Sequence, residues 1–255
     1  MPINQSTRTR RVLVLGLLAG LLAVGCTEPT SRPSATEDRR GEVIYQVATL
    51  NSLLGGQFEG TDTAGDLTRH GTLGLGTVDR LDGEMIIVDG TAYAVRNDGT
   101  TEEVGAETGI PFGVVTRFDP DTTLTLTQVE SFADFQSQLD EALPPGTPLY
   151  AFKVTGQFDS LQTRSVPAQE PPYPALKEVI ANQNTFTFND AEGTMVGFYI
   201  PDVFEGVNAV GHHAHFVTAR RNGGGHVLDV RSSMLTVRID RASSLRVNPR
   251  GPDAE

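Results

Sequence analysis

The sequence predicts a strand-rich α+β fold built from mixed or antiparallel sheets with a few short helices. Three observations carry this expectation. Short β-prone runs recur along the chain, separated by glycines and Asp-Gly pairs that suit tight turns. Helical patterns are few and brief. The regular alternation of strand and helix that marks a doubly wound fold is missing. At 255 residues the chain is long enough for one large domain or two small ones.

Folded sequence is expected from residue 43. Val43 to Val47 is β-prone, and Thr49 to Leu54 fits a short helix stopped by Gly55-Gly56. Thr63 to His70 is a second short helix ended by Gly71. The glycine-punctuated stretch 71–95 then reads as short strands, with turns at Asp82-Gly83 and Asp89-Gly90. Phe112 to Phe118 and Thr123 to Val129 are further strands. Ser131 to Leu143 is the clearest helix: Ser131 can cap it, and Phe132, Phe135, Leu139 and Leu143 form one apolar face. Leu149 to Phe158 alternates as a strand, and Pro174 to Asn182 fits a helix. Phe186 to Phe188, Thr194 to Ile200, Val207 to Thr218, His226 to Val230 and Leu235 to Ile239 complete a strand-rich second half. The domain is expected to span 43–245, with 246–255 as a C-terminal tail.

The first 25 residues read as a leader instead of as fold. Arg8, Arg10 and Arg11 precede an apolar run, Val12 to Val24, that is too short for an ordinary membrane span. The run ends in Leu22-Ala23-Val24-Gly25-Cys26, the pattern of a bacterial lipoprotein signal in which the cysteine is acylated. Cys26 is the only cysteine, so no intrachain disulfide forms, and acylation would consume the thiol. Residues 26–42, rich in Pro, Ser and Thr, read as a flexible tether. The expected location is therefore the cell envelope, with membrane attachment only through lipid at Cys26. A net charge of −12 argues against nucleic acid and against anionic lipid surfaces as partners.

Four of the five histidines fall within GHHAHFVTARRNGGGHVLD. On a strand, alternate side chains share a face, so His213 and His215 point together and His212 points behind. The run Arg220 to Gly225 reverses the chain and brings His226 alongside. Three imidazoles with an open position form the pattern of a catalytic metal site. His70, at a helix end, suits a C-terminal cap. A cupin-type oxygenase or isomerase also uses His-x-His plus a later His. Its usual glutamate is absent, however, because Ala219 and Arg220 stand where it is expected.

The segment GHHAHF…GGGHVLD resembles the metal-binding region of the bacterial α-acetolactate decarboxylases. Further stretches agree in order: VIYQVATLNSLLGGQFEG, HGTLGLGTVDRLDGEM, PFGVVTRF, GQFDSLQTRSVPAQEPPYPAL and GTMVGFYIPDVFEGVNAVGHHAHF. The resemblance implies two β-rich subdomains with the metal site between them, commonly as a homodimer. It implies conversion of (S)-2-acetolactate, a 2-hydroxy-3-keto acid, to (R)-acetoin and carbon dioxide. Zn²⁺ on His213, His215 and His226 would act as the Lewis acid on the enediolate intermediate. Glu84 in LDGE, Arg164 in QTRSVP and Thr77 in GLGT take the family's active-site positions. As the proton donor, Glu84 needs a raised pKa and so should be buried. The family's C-terminal metal-site glutamate has no clear counterpart in NPRGPDAE, where Asp253 and Glu255 are the candidates. The competing expectations are a cupin-like oxygenase or isomerase and a non-enzymatic metal- or ligand-binding lipoprotein.

Overall fold

A computed structural model of the chain describes residues 43–249 apart from 145, 147 and 148. The expected leader, Cys26, the tether, Asp253 and Glu255 lie outside the described residues. The elements in order are β1 (Val43–Val47), α1 (Leu50–Leu54), β2 (Asp62–Thr63), α2 (Ala64–His70), β3 (Leu73–Thr77), β4 (Glu84–Val88) and β5 (Thr91–Val95). They continue with β6 (Thr101–Glu103), β7 (Gly109–Ile110), β8 (Phe112–Thr116), β9 (Thr122–Val129), α3 (Phe132–Ala142) and β10 (Leu149–Ser165). The chain then forms α4 (Leu176–Ile180), β11 (Asn184–Ile200), β12 (Gly211–Thr218), β13 (Gly224–Ala242) and β14 (Ser244–Asn248). The strand-rich α+β expectation holds.

The first large sheet has the order β14-β1-β8-β3-β4-β5-β6. Its pairings are antiparallel except for the parallel pair β1–β14. Strands β3, β4 and β8 are buried at every position, as apolar runs covered on both faces must be. One face, with Leu75, Ile86 and Val114, packs toward the second sheet. The other, with Met85, Ile87 and Val115, packs on Ala64 and Leu67 of α2. Helix α2 starts on a reciprocal cap: Thr63 Oγ1 accepts from Asp66 N, and the Asp66 carboxylate accepts from Thr63 N.

In the second sheet β10, β11, β12 and β13 pair in turn, and a β10–β13 pairing closes them into a ring with β9 alongside β13. Helix α3 covers its far face with Phe135 and Leu139. Its near face, carrying Val196, Phe198 and Val217, meets the first sheet.

Several strands are longer than the sequence pattern suggests. The expected runs 186–188 and 194–200 are one strand, β11, and 226–230 and 235–239 are one strand, β13. The polar interruptions stay within the strands instead of looping out: Asn189 and Ala191 to Gly193 pair with β10, Arg231 pairs with Ser160 of β10, and Ser232 pairs with Val129 of β9. Strand β10 runs on from Phe158 to Ser165. Strand β14, unanticipated, straddles position 245 and pairs with β1. Helix α4 is shorter than expected, starting only after the Pro-rich stretch.

Candidate metal centre and active site

The site forms where the two sheets face each other. In register, Arg164 on β10 lies opposite His226 on β13, and His226 lies opposite His215 on β12. His213 stands two residues along β12 on the same face. From the first sheet, Thr77 and Glu84 are cross-strand partners on β3 and β4. All six side chains line one cavity of about 340 Å³.

Two local features produce this row. Opposite β10, the register of β13 shifts by one residue between Gln162 and Thr163: Gln162 faces Asp229, whereas Thr163 faces Val227. The extra residue is Leu228. Were Leu228 paired with Thr163 in a regular ladder, Arg164 would face Val227, and His226 would point to the opposite face of the sheet. The second feature is Gly225, at φ +125°. A Cβ there would lie 2.4 Å from the Arg164 carbonyl oxygen, so only glycine lets β13 approach β10 this closely.

The three imidazole nitrogens converge. His213 Nε2 is 3.2 Å from His215 Nε2 and 3.1 Å from His226 Nδ1, and the last two are 3.3 Å apart. Nitrogens about 2.0–2.1 Å from a shared tetrahedral ion stand about 3.3 Å apart, so the triangle fits such an ion. His215 Nδ1 donates to the Met85 carbonyl at 2.9 Å, which fixes that proton and leaves Nε2 bare toward the cluster. Burial, reinforced by the positive charge of Arg164, pulls His213 down to about 4. Burial and the neighbouring imidazoles hold His215 and His226 well below the ordinary imidazole range. All three are therefore neutral at neutral pH, the form that binds metal.

Glu84 is 7% exposed. Its Oε1 accepts from Arg164 Nη1 at 3.1 Å, and its Oε2 is 3.5 Å from His215 Nε2. Burial raises its pKa, and the Arg164 charge partly opposes the rise. The expected burial of Glu84 is thus observed. Thr77 Oγ1 donates to the Gly83 carbonyl at 2.9 Å, which fixes its hydroxyl at the cavity wall. His212 points to the other face, hydrogen-bonded to the Tyr150 hydroxyl at 2.5 Å and packed at a tilt against Tyr199. His70 ends α2 and stacks on Tyr45.

Sequence reasoning missed two parts of the site. One is the Met85 carbonyl that orients His215, a backbone group with no sequence signal. The other is an apolar wall from α1 and α4, foreshadowed only by apolar residues four apart in each short helix.

Three neutral imidazoles beside a buried acid–guanidinium pair, enclosed in a cavity, are the apparatus of an enzyme whose site is compatible with a metal ion. The sequence matches the family model of alpha-acetolactate decarboxylase over residues 44–253. It is 40% identical to the alpha-acetolactate decarboxylase of Methanosarcina mazei, across 79% of this chain and 70% of that protein. It is also 40% identical to that of Methylococcus capsulatus, across 80% of this chain and 78% of that protein. The crystal structure of alpha-acetolactate decarboxylase from Bacillus subtilis strain 168 superposes with a TM-score of 0.79 at 36% identity, covering 83% of this chain and 91% of that one. The chain belongs to the alpha-acetolactate decarboxylase family.

Proposed function

We propose that the protein decarboxylates (S)-2-acetolactate to (R)-acetoin and that His213, His215 and His226 hold zinc. The observation that carries this is the meeting of three neutral imidazoles with the buried Glu84–Arg164 pair in one cavity of a chain of this family. Cleaving the bond to the carboxylate releases carbon dioxide and leaves its electron pair on the adjoining ketone as an enediolate. Zinc, when bound, supplies Lewis-acid stabilisation of that negative charge.

The chain's own residues bind, orient and protonate. Arg164 presents a fixed guanidinium to the substrate carboxylate and then to the charge left behind. Glu84, its pKa raised by burial, takes up a proton once Arg164 turns to the substrate carboxylate and delivers it to one face of the carbon that lost carbon dioxide, which fixes the product's hand. Thr77 shapes the wall beside it. Glu84→Gln should lower the rate by about 10²–10⁴-fold and erode the enantiomeric purity of acetoin. Parent rate and purity in that variant would remove Glu84 from the role.

We also propose that the chain is exported, anchored through lipid on Cys26, and dimeric. The basic start, the apolar run Val12 to Val24 and the lone cysteine support the anchor. No helix among the described residues is long and apolar enough to cross a membrane. Cys26→Ser should move the protein to the soluble fraction, and retention in membranes would contradict the anchor. The dimer rests on family resemblance, and a monomeric mass by light scattering would contradict it.

A further inference from the structure

The cavity has two chemically distinct ends. The histidines, Glu84 and Arg164 form the polar one. The other wall comes from α1 and α4, each a single turn of five residues. Residues four apart share a helix face. Leu50 and Leu54 of α1, with Leu176 and Ile180 of α4, therefore present paired aliphatic side chains to the cavity, and all four line it. Leu54 is 43% exposed and stands at the rim, whereas the other three pack partly buried against the core. A volume of about 340 Å³ lies within the roughly 300–1,000 Å³ of sites for drug-sized ligands. A five-carbon acid held through its carboxylate, ketone and hydroxyl leaves the apolar end largely unfilled.

We propose that α1 and α4 act as the size gauge of the site: Leu50, Leu54, Leu176 and Ile180 receive the alkyl substituents of the substrate and set the largest one admitted. The proposal rests on the function given above and assigns its selectivity among 2-alkyl-2-hydroxy-3-oxo acids. The gauge is firmly held. Leu50 N and Asn51 N donate to the Val207 and Gly206 carbonyls. Leu53 and Val179, 6% and 2% exposed, anchor the two helices in the core. A wall fixed in this way discriminates sharply, because one methylene in an apolar pocket changes selectivity by roughly 10–200-fold.

The test compares the parent with Leu176→Phe and Ile180→Ala on the 2-methyl, 2-ethyl and 2-propyl acids. Two quantities are read: kcat/KM for each acid, and calorimetric affinity for the matching unreactive 2-alkyl-2-hydroxy acids. Leu176→Phe should lower the propyl-to-methyl ratio by about tenfold or more, and Ile180→Ala should raise it by a similar factor. Met234→Ala, at an outer position that is 61% exposed, should leave the ratio at the parent value. Ratios within about twofold of the parent in both wall variants overturn the gauge. If the parent fails to turn over acetolactate while the affinity ratios still follow the wall, the gauge stands and the proposed reaction falls.

Discussion

Replacing Arg164 with Met removes a guanidinium from a largely buried ion pair. The side chains of Arg164 and Glu84 are 14% and 9% exposed, with Nη1 and Oε1 3.1 Å apart. Loss of one partner from such a pair leaves the other charge buried alone, at a cost of about 3–5 kcal/mol. For a domain of this size each kcal/mol lowers Tm by about 2–4 °C, so the variant should melt roughly 6–20 °C below the parent. The unbranched Met side chain fills most of the space vacated, which limits the cavity contribution. Thermal unfolding at pH 7, in chelator so that metal binding does not contribute, measures the effect. The double variant Arg164→Met/Glu84→Gln should recover much of the loss, because the stranded carboxylate is gone. A drop of under about 1 kcal/mol in the single variant, or strict additivity in the double, would refute the buried-pair account.

Three further outcomes follow from other parts of the structure. Asp240, 5% exposed, is pushed up to about 7 by burial, with the Asp121 and Asp119 charges adding and the bond from Asp119 N opposing. Because its folded pKa lies above the ordinary 3.8, the folded state holds the proton more tightly than the unfolded chain. Stability should then fall as pH rises from about 4 to about 7, by on the order of 1–2 kcal/mol once screening by nearby water is allowed for. Asp240→Asn should flatten that slope, and an unchanged slope in urea titrations would count against it. Gly225→Ala forces a Cβ against the Arg164 carbonyl at a positive φ and should cost about 2–3 kcal/mol or more; an unaltered Tm would show that the strands can part freely. His226→Ala should abolish stoichiometric zinc in metal analysis of the purified protein, and full occupancy would break the ligand assignment.

The histidine row was legible because two simple rules act on it. Strand alternation separates His213 and His215 from His212, and a glycine-rich reversal returns His226 to their side. The residue that sets the phase of His226, Leu228, gives no such signal. A bulge is a register property of two strands, and its partner β10 is about sixty positions away in sequence. The same limit explains the broken reading of β11 and β13. Asn189 to Gly193 and Arg231 to Ser233 look like loops locally, yet Asn189 and Ala191 to Gly193 pair with β10, Arg231 pairs with Ser160 of β10, and Ser232 pairs with Val129 of β9, partners that the local sequence does not reveal. Strand β14 was missed because Ser244 to Asn248 is stabilised chiefly by the edge of β1, not by its own pattern. Local signals served the helices better. Thr49, Thr63 and Ser131 each cap the helix that follows. Glu84 and Arg164 became candidates only through family resemblance, since a hairpin Glu and a strand Arg are ordinary surface residues until two sheets close over them.

The most direct measurement is the incubation of purified, zinc-loaded protein with racemic acetolactate, followed by chiral analysis of the acetoin formed. The proposed function predicts rapid release of carbon dioxide from one substrate enantiomer, a single hand of acetoin, loss of both on chelation, and recovery on adding zinc. Racemic acetoin at the rate seen in buffer alone, or turnover indifferent to the chelator, would contradict it.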